Sequence, residues 1–216
     1  MIDTLQDALM RILDLGGPVV LLLGALSILV LTVVLYKLWQ FAAARVGSHT
    51  SLRAAVSAWD AGDRAAARSH LERSRSYLRP VMDMALSGQG DANRLEAEAE
   101  ARFARLESGF RLLDFVAQMA PLLGLFGTVL GMISAFQALQ EAGAQVDPSI
   151  LAGGIWVALL TTAVGLAVAM PTALLLSWFE SRMDRERVFA QQALRTILSP
   201  EGRSVDATAM AEPVHA

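Results

Sequence analysis

Three threonine hydroxyls stand in otherwise apolar stretches of this chain and could guide a proton or a water molecule. Thr128 lies in PLLGLFGTVLGMISAF, and Thr161 and Thr162 are adjacent in GGIWVALLTTAVGLAVAMPT. In an apolar helix, a threonine hydroxyl often bonds only to a carbonyl one turn back along its own helix. The other interpretation is that the three hydroxyls are pore-lining and form a polar path at an interface between helices. Two adjacent threonines within a run of alanine, valine and leucine favour the polar path.

Small residues flank these threonines at the spacing of one helix face. The first stretch contains Gly124, Gly127 and Gly131. The second places small residues at steps of three and four, in the order Gly154, Ala158, Thr162, Gly165 and Ala169. Small residues let two helix backbones approach closely in a membrane. The pattern therefore predicts helix packing. A phosphate-binding loop does not fit, because no Lys-Ser/Thr pair follows the glycines.

Three stretches without Asp, Glu, Lys, Arg or His must position these groups. They are residues 15–36, 115–140 and 148–179, with 22, 26 and 32 residues. A helix rises about 1.5 Å per residue, so about 20 residues cross a hydrocarbon core roughly 30 Å thick. The sequence therefore predicts an all-α membrane protein with three transmembrane helices. Pro121 and Pro171 lie inside the second and third stretches and predict helix kinks.

The missing residue types exclude several classes of function. A titratable side chain inside a span is the usual mark of an ion pathway, and these spans contain none, so the chain alone has no group to pass a proton. His49, His70 and His215 are scattered and cysteine is absent, which argues against a metal site. The sequence shows no pairing of a nucleophile with a base that would indicate an enzyme, and no cofactor is expected. The net charge of −3 argues against a nucleic-acid partner.

The distribution of lysine and arginine between the spans predicts the orientation of the chain in the membrane. One precedes the first span, 12 lie between the first and second, none lies between the second and third, and five follow the third. Because basic loops stay in the cytoplasm, the N-terminus is expected outside and the C-terminus inside. The predicted segments are a periplasmic N-terminus (1–14), transmembrane helix 1 (15–37), a cytoplasmic helical subdomain (38–90), a long helix containing transmembrane helix 2 (91–140), a periplasmic turn (141–147), a long helix containing transmembrane helix 3 (148–198) and a disordered cytoplasmic tail (199–216).

The second and third membrane helices are predicted to extend into a cytoplasmic helical bundle. Asp91 is the expected N-cap of the first long helix. Glu98–Arg102 and Glu107–Arg111 are expected ion pairs at the i,i+4 spacing. One apolar face is formed by Leu95, Ala99, Phe103, Leu106, Phe110 and Leu113, and another by Phe179, Met183, Ala190, Leu194 and Ile197. The alternative, a solvated helix that packs on nothing, would not need such faces.

The sequence resembles the MotA/TolQ/ExbB proton-channel family, closest to its ExbB branch. The resemblance is carried by APLLGLFGTVLGM at 120–132 and GIWVALLTTAVGLAVAMP at 154–171, and it covers about residues 10–198. It implies a homo-oligomer, a pentamer, in the bacterial inner membrane. It further implies a single-span partner of the ExbD/TolR/MotB type, which supplies an aspartate in the pore. Proton flow would then drive mechanical work on a TonB- or TolA-like envelope protein.

The resemblance also assigns residues. Thr128 matches the threonine of the family's GLxGTVxG segment, Thr162 matches the threonine of its third-span segment, and both are expected near the partner's aspartate. Many ExbB-like members have a glutamate five residues before that second threonine, where this chain has Val157. This departure argues against a proton-carrying acid on this subunit. Two alternatives stay open, a MotA-like flagellar stator subunit and a structural membrane scaffold without ion flux.

Overall fold

A computed structural model describes residues 2–141 and 148–200, and every regular element in these ranges is an α-helix. The seven helices in the described part are α1 (Ile2–Ala44), α2 (Thr50–Asp60), α3 (Arg64–Arg73), α4 (Arg79–Leu86), α5 (Ala92–Glu107), α6 (Phe110–Glu141) and α7 (Pro148–Leu198). The prediction of an all-α chain is confirmed. Most of the predicted turn at 141–147 and of the tail at 199–216 lies outside the described residues.

Three of these helices are long and apolar enough to cross a membrane. They are α1 from Gly17 onwards, α6, and α7 from Leu151 onwards. Each contains one of the three stretches that the sequence analysis identified. The helix that holds the first span continues to Ala44, beyond the predicted end at residue 37.

The chain divides into two compact units. The first unit comprises residues 1–36 and 109–178, and the second comprises residues 37–108 and 179–216. The first unit therefore contains the apolar parts of α1, α6 and α7. A cluster of buried apolar side chains holds it together, formed by Val19, Leu23, Ala120 and Ala169.

A kink divides α1 at the beginning of the first span. Gly17 has φ 66° and ψ −169°, which is a backbone conformation outside the helical region. A positive φ of this kind is accessible to glycine because it has no Cβ atom. Pro18 follows directly, and proline is favoured at the first position of a helix because its nitrogen has no hydrogen to donate. The Gly-Pro pair therefore starts the spanning part of α1.

The single helix predicted over residues 91–140 is wrong, because the structure has two helices there. α5 ends at Glu107 and α6 begins at Phe110. Between them Gly109 has φ 92°, a left-handed conformation that stops a helix. The Ser108-Gly109 pair is a helix-end signal that the apolar periodicity across it had obscured. The Asp91 N-cap is confirmed, since its carboxylate accepts a hydrogen bond of 2.9 Å from the Arg94 amide.

This break also corrects one of the two predicted ion pairs. Glu98 and Arg102 do pair, at 3.1 Å. Glu107 instead pairs with Arg187 of α7, at 2.7 Å. The helical spacing between residues 107 and 111 is lost at Gly109, so their side chains no longer share one helix face.

The second unit has an apolar core that matches the two predicted faces. Leu95 and Phe103 of α5 and Phe179 and Met183 of α7 are at most 2% exposed. The remaining members of both faces are buried as well, although Phe110 and Leu113 belong to the first unit. The solvated-helix alternative does not describe these helices, because their apolar faces are covered.

A buried polar cluster joins three segments of the second unit. His49 Nε2 lies 2.6 Å from Glu186 Oε2, and the Tyr77 hydroxyl donates to the same oxygen at 2.7 Å. The Ser76 hydroxyl lies 3.2 Å from His49 Nδ1, and the His49 ring stacks on Phe189. Burial and the hydrogen bond to Glu186 raise the pKa of Tyr77 above its usual range, so this hydroxyl keeps its proton.

Lys37 ties α1 to the end of α5. Its Nζ donates to the Leu106 carbonyl at 3.0 Å and to Gln40 Oε1 at 2.7 Å, and it lies 3.4 Å from Ser108 Oγ. The last carbonyls of a helix have no partner within that helix, so the ammonium satisfies one of them. The side chain is 1% exposed, although it stands next to the apolar span of α1.

Candidate functional site

The candidate site is the seam along which α6 and α7 pack antiparallel in the first unit. As the residue number rises along α6, it falls along α7. Residue 124 lies opposite residue 165, residue 127 opposite 161, and residue 131 opposite 158. The predicted packing set of Gly124, Gly127, Gly131, Gly154, Ala158, Gly165 and Ala169 lies in this first unit, and the six residues through Gly165 make direct contacts across the seam.

The two backbones approach so closely that side chains do not fit between them. A Cβ atom on Gly165 would lie 2.6 Å from the Ala120 carbonyl oxygen and 3.1 Å from the Gly124 Cα. A Cβ atom on Gly127 would lie 2.6 Å from Thr161 Oγ1. Both distances are shorter than a normal van der Waals contact, so glycine is required for the observed separation.

The α7 face of the seam runs through Thr161. Gly127 is opposite Thr161, whereas the small-residue series deduced from sequence included Thr162. Thr161 is 2% exposed, and its hydroxyl lies 2.7 Å from the Ala158 carbonyl and 3.2 Å from the Gly124 carbonyl. A threonine on this face supplies a hydrogen-bond donor where both backbones are close.

Thr162 and Thr128 are less enclosed. The Thr162 hydroxyl donates to the Gly124 carbonyl at 3.2 Å and is half-buried. The Thr128 hydroxyl donates to the Leu125 carbonyl of its own helix at 2.6 Å. Thr128 thus bonds within its own helix, Thr162 bonds across the seam, and the Thr161 hydroxyl lies within hydrogen-bond distance of a carbonyl of each kind. A pore would be formed by several subunits together, so pore lining stays a prediction for all three residues.

Sequence reasoning missed two α6 residues of the seam. Ala120 faces Gly165, and Ala135 contacts Gly154. Together with the three glycines they form the series 120, 124, 127, 131 and 135, at steps of four, three, four and four. Extending the glycine series by one helical turn in each direction would have found both alanines. Pro121 and Pro171 lie inside α6 and α7, and the predicted bends stay predictions.

A cavity of about 330 Å³ adjoins the seam. It lies between the start of the α1 span at Gly17–Val19 and the seam residues around Gly131 and Gly154. Ser134 and Thr161 contribute hydroxyls to its wall, and Val157 lines it as well. None of the described lining residues is titratable. The cavity can hold water or an apolar group, but its own wall cannot exchange a proton.

We expect Gly165→Ala to destabilise the protein, because the added methyl would meet the backbone of Ala120 and Gly124, which cannot rotate away. Overpacking of this kind costs about 1–3 kcal/mol, which exceeds the gain in helix propensity of about 1 kcal/mol. The measurement is thermal unfolding of the purified protein in detergent, with the size of the complex followed by chromatography.

The matched control is Gly153→Ala on the same helix, since nothing lies within 4 Å of a Cβ atom placed there. This control should be neutral or slightly stabilising. Equal stability of the two variants would contradict the close approach.

Comparison with known proteins identifies a family. Residues 59–192 match the model of the MotA/TolQ/ExbB proton channel family. The matched region includes α3 to α6 and most of α7, and thus all residues of the seam.

Individual relatives are named as ExbB and TolQ proteins. The chain is 34% identical to the ExbB-like 1 protein of Synechocystis sp. over 162 residues, 72% of this chain and 64% of that protein. It is 40% identical to the biopolymer transport protein exbB1 of Vibrio cholerae over 85 residues, 38% of this chain and 37% of that protein. It is 31% identical to the Tol-Pal system protein TolQ of Pseudomonas aeruginosa over 113 residues, 52% of this chain and 48% of that protein.

These three matches cover between 37% and 64% of the relatives' own lengths. The family match spans more than half of this chain and includes the glycine and threonine seam that the structure defines. The chain therefore belongs to the MotA/TolQ/ExbB proton channel family, in its ExbB branch.

Proposed function

We propose that this chain is the channel-forming subunit of a proton-motive-force transducer in the bacterial inner membrane. With an ExbD/TolR-like partner it would couple proton flow to mechanical work on a TonB- or TolA-like envelope protein, for transport across the outer membrane. The observation that carries this proposal is the seam itself. It is a tightly packed pair of spanning helices with threonine hydroxyls at its centre and no titratable side chain in either span.

We further propose that copies of the chain assemble into a ring, a pentamer in the arrangement that the family resemblance implies. The exposed surface of the first unit supports assembly. Between 17% and 28% of the residues in the three apolar windows are buried within one subunit. Large side chains such as Phe126, Phe136 and Trp156 are 54%, 56% and 64% exposed. Neighbouring copies and lipid together would cover them.

The proton-carrying group would come from the partner. Moving one charge through a membrane potential releases about 2.3 kcal/mol per 100 mV, and coupling this to movement requires a site that is protonated and deprotonated. Val157 occupies the position where a glutamate is common, and it lines a cavity without titratable groups. A single-span helix with one aspartate would therefore complete the pathway, with Thr128, Thr161 and Thr162 as its polar lining.

Two rival functions remain distinct from this proposal. A MotA-like stator subunit would work with a peptidoglycan-binding partner and the flagellar motor, and the ExbB and TolQ names of the relatives favour the transport role over it. A structural scaffold would pack the same helices without ion flux. The requirement for an aspartate-bearing partner separates both channel proposals from the scaffold.

We propose that the N-terminus lies in the periplasm and the C-terminus in the cytoplasm. The basis is that 12 basic residues lie between the first two spans and none between the last two. A reporter enzyme fused after residue 216 should be active as a cytoplasmic fusion, and one inserted at residue 143 as a periplasmic insertion. The reverse activities would contradict this orientation.

The channel proposal is tested by reconstitution into liposomes with an imposed potential and a pH-sensitive dye inside. The subunit alone should assemble but show no potential-driven proton uptake. Co-reconstitution with a single-span partner that carries one intramembrane aspartate should produce uptake. Replacing that aspartate with asparagine should abolish it, because the amide cannot be deprotonated. Proton uptake by the subunit alone would refute the requirement for a partner, and failure of the pair to conduct would favour the scaffold.

Thr162→Val tests whether a seam hydroxyl takes part in coupling. Valine keeps the shape but removes the donor that now bonds to the Gly124 carbonyl. If that hydroxyl also contacts the partner's carboxylate, its loss should lower proton uptake by about tenfold, the effect expected for a hydrogen bond to a charged group.

The control for this variant is Thr32→Val in α1, where the hydroxyl donates to the Ile28 carbonyl of its own helix at 2.8 Å. Oligomer size should stay unchanged in both variants. Unchanged proton uptake in Thr162→Val would mean that its hydroxyl only ties α7 to α6.

A further inference from the structure

The second unit carries a strongly basic segment in a chain whose net charge is −3. Residues 64–79, which form α3 and the loop into α4, contain five arginines and one glutamate. Arg68, Arg75 and Arg79 are exposed and have no ion pair with any described residue. This segment is therefore available to an anionic partner.

Two of these arginines border a groove, which we call the Trp59 groove. Its lining residues are Trp59, Arg64, Arg68, Leu71, Asp83 and Leu86, and its volume is about 260 Å³. The Arg64 guanidinium stacks over the Trp59 ring, with 3.4 Å between its Cζ atom and the ring centroid. Asp83 is the one acidic side chain in the described wall. The groove thus offers two guanidinium groups beside the apolar surfaces of Leu71 and Leu86.

The last helix ends against the wall of this groove. The Trp59 indole donates a hydrogen bond of 3.0 Å to the Ile197 carbonyl, one residue before α7 ends at Leu198. The Trp59 ring therefore contacts both the end of α7 and the Arg64 guanidinium. Any residue that follows α7 starts beside the groove.

The segment that follows is acidic. Residues 201–216, EGRSVDATAMAEPVHA, contain Glu201, Asp206 and Glu212 against Arg203. At about 3.3–3.6 Å per extended residue, six residues reach about 20 Å, so Asp206 can reach a groove that begins beside residue 197. Val205 and Met210 could contact the apolar part of the wall. The segment combines the charge, the apolar side chains and the reach that the groove requires.

We propose that the acidic segment 201–216 binds in the Trp59 groove of the same subunit, with its carboxylates on Arg64 and Arg68. A tethered segment has an effective concentration in the millimolar range, which favours it over a separate acidic protein or an anionic lipid surface. This contact would hold the end of α7 against α2 and α3. The proposal does not depend on the channel function.

The absence of cysteine allows a direct test with introduced pairs. Ser87 is exposed and follows the groove residue Leu86, so Ser87→Cys with Ala207→Cys should crosslink within one subunit. The reference pair is Ser57→Cys with Ala207→Cys. Ser57 is also exposed, but it lines a different depression together with Thr196. The full-length complex in detergent is treated with a bifunctional thiol reagent, and linked peptides are quantified by mass spectrometry.

We expect the groove pair to crosslink about fivefold faster than the reference pair, and Arg64→Ala/Arg68→Ala to remove this difference. Arg75→Ala/Arg79→Ala removes the same charge outside the groove and should leave the rate unchanged. Asp206→Asn/Glu212→Gln should act like the groove variant and cannot disturb the fold of the described helices. Equal rates for both cysteine pairs, or links only between subunits, would overturn the proposal.

Discussion

The close approach of α6 and α7 is the constraint on which the packing of the first unit depends. A lipid bilayer provides little hydrophobic driving force between helices, so their association relies on van der Waals contact and hydrogen bonds across the interface. Both require the side chains between the backbones to be small. At Gly165 and Gly127 even a methyl group would collide with the facing helix. The same proximity brings the hydroxyls of Thr161 and Thr162 to one carbonyl, that of Gly124. The same few residues therefore determine how closely α6 and α7 pack and where hydroxyl groups lie between them.

The signal for helix packing in the sequence is local and periodic. Glycines at steps of three and four fix a helix face, and an apolar stretch fixes a span. The position of Thr161 on that face was harder to predict, because Thr161 and Thr162 are adjacent and a shift of about 100° decides which one faces α6. The cavity next to the seam is lined by residues of three helices, including Gly17 at the kink of α1, and periodicity does not encode such a tertiary arrangement.

The second unit shows where pattern reasoning fails. The residues predicted to form one apolar face from Leu95 to Leu113 are all buried, yet α5 carries the first four in this unit and α6 carries Phe110 and Leu113 in the first unit. Periodicity continued across Ser108-Gly109 because the burial requirement is the same on both sides of the break. The His49–Glu186–Tyr77 cluster could not be predicted, since its members are separated by up to 137 residues and meet through folding. The scatter of the histidines along the chain gave no sign that His49 and Glu186 meet in a buried hydrogen bond.

The burial of Lys37 has a consequence for how α1 is positioned in the bilayer. A lysine at the end of a span commonly extends its ammonium to the lipid headgroups and so fixes the depth of the helix. Here the ammonium is enclosed by protein and bonded to the Leu106 carbonyl. The neighbouring Tyr36 and Trp39 are 54% and 67% exposed. Amphipathic aromatic rings favour the headgroup region, so we expect these two rings, rather than the lysine, to fix the depth of α1 in the lipid.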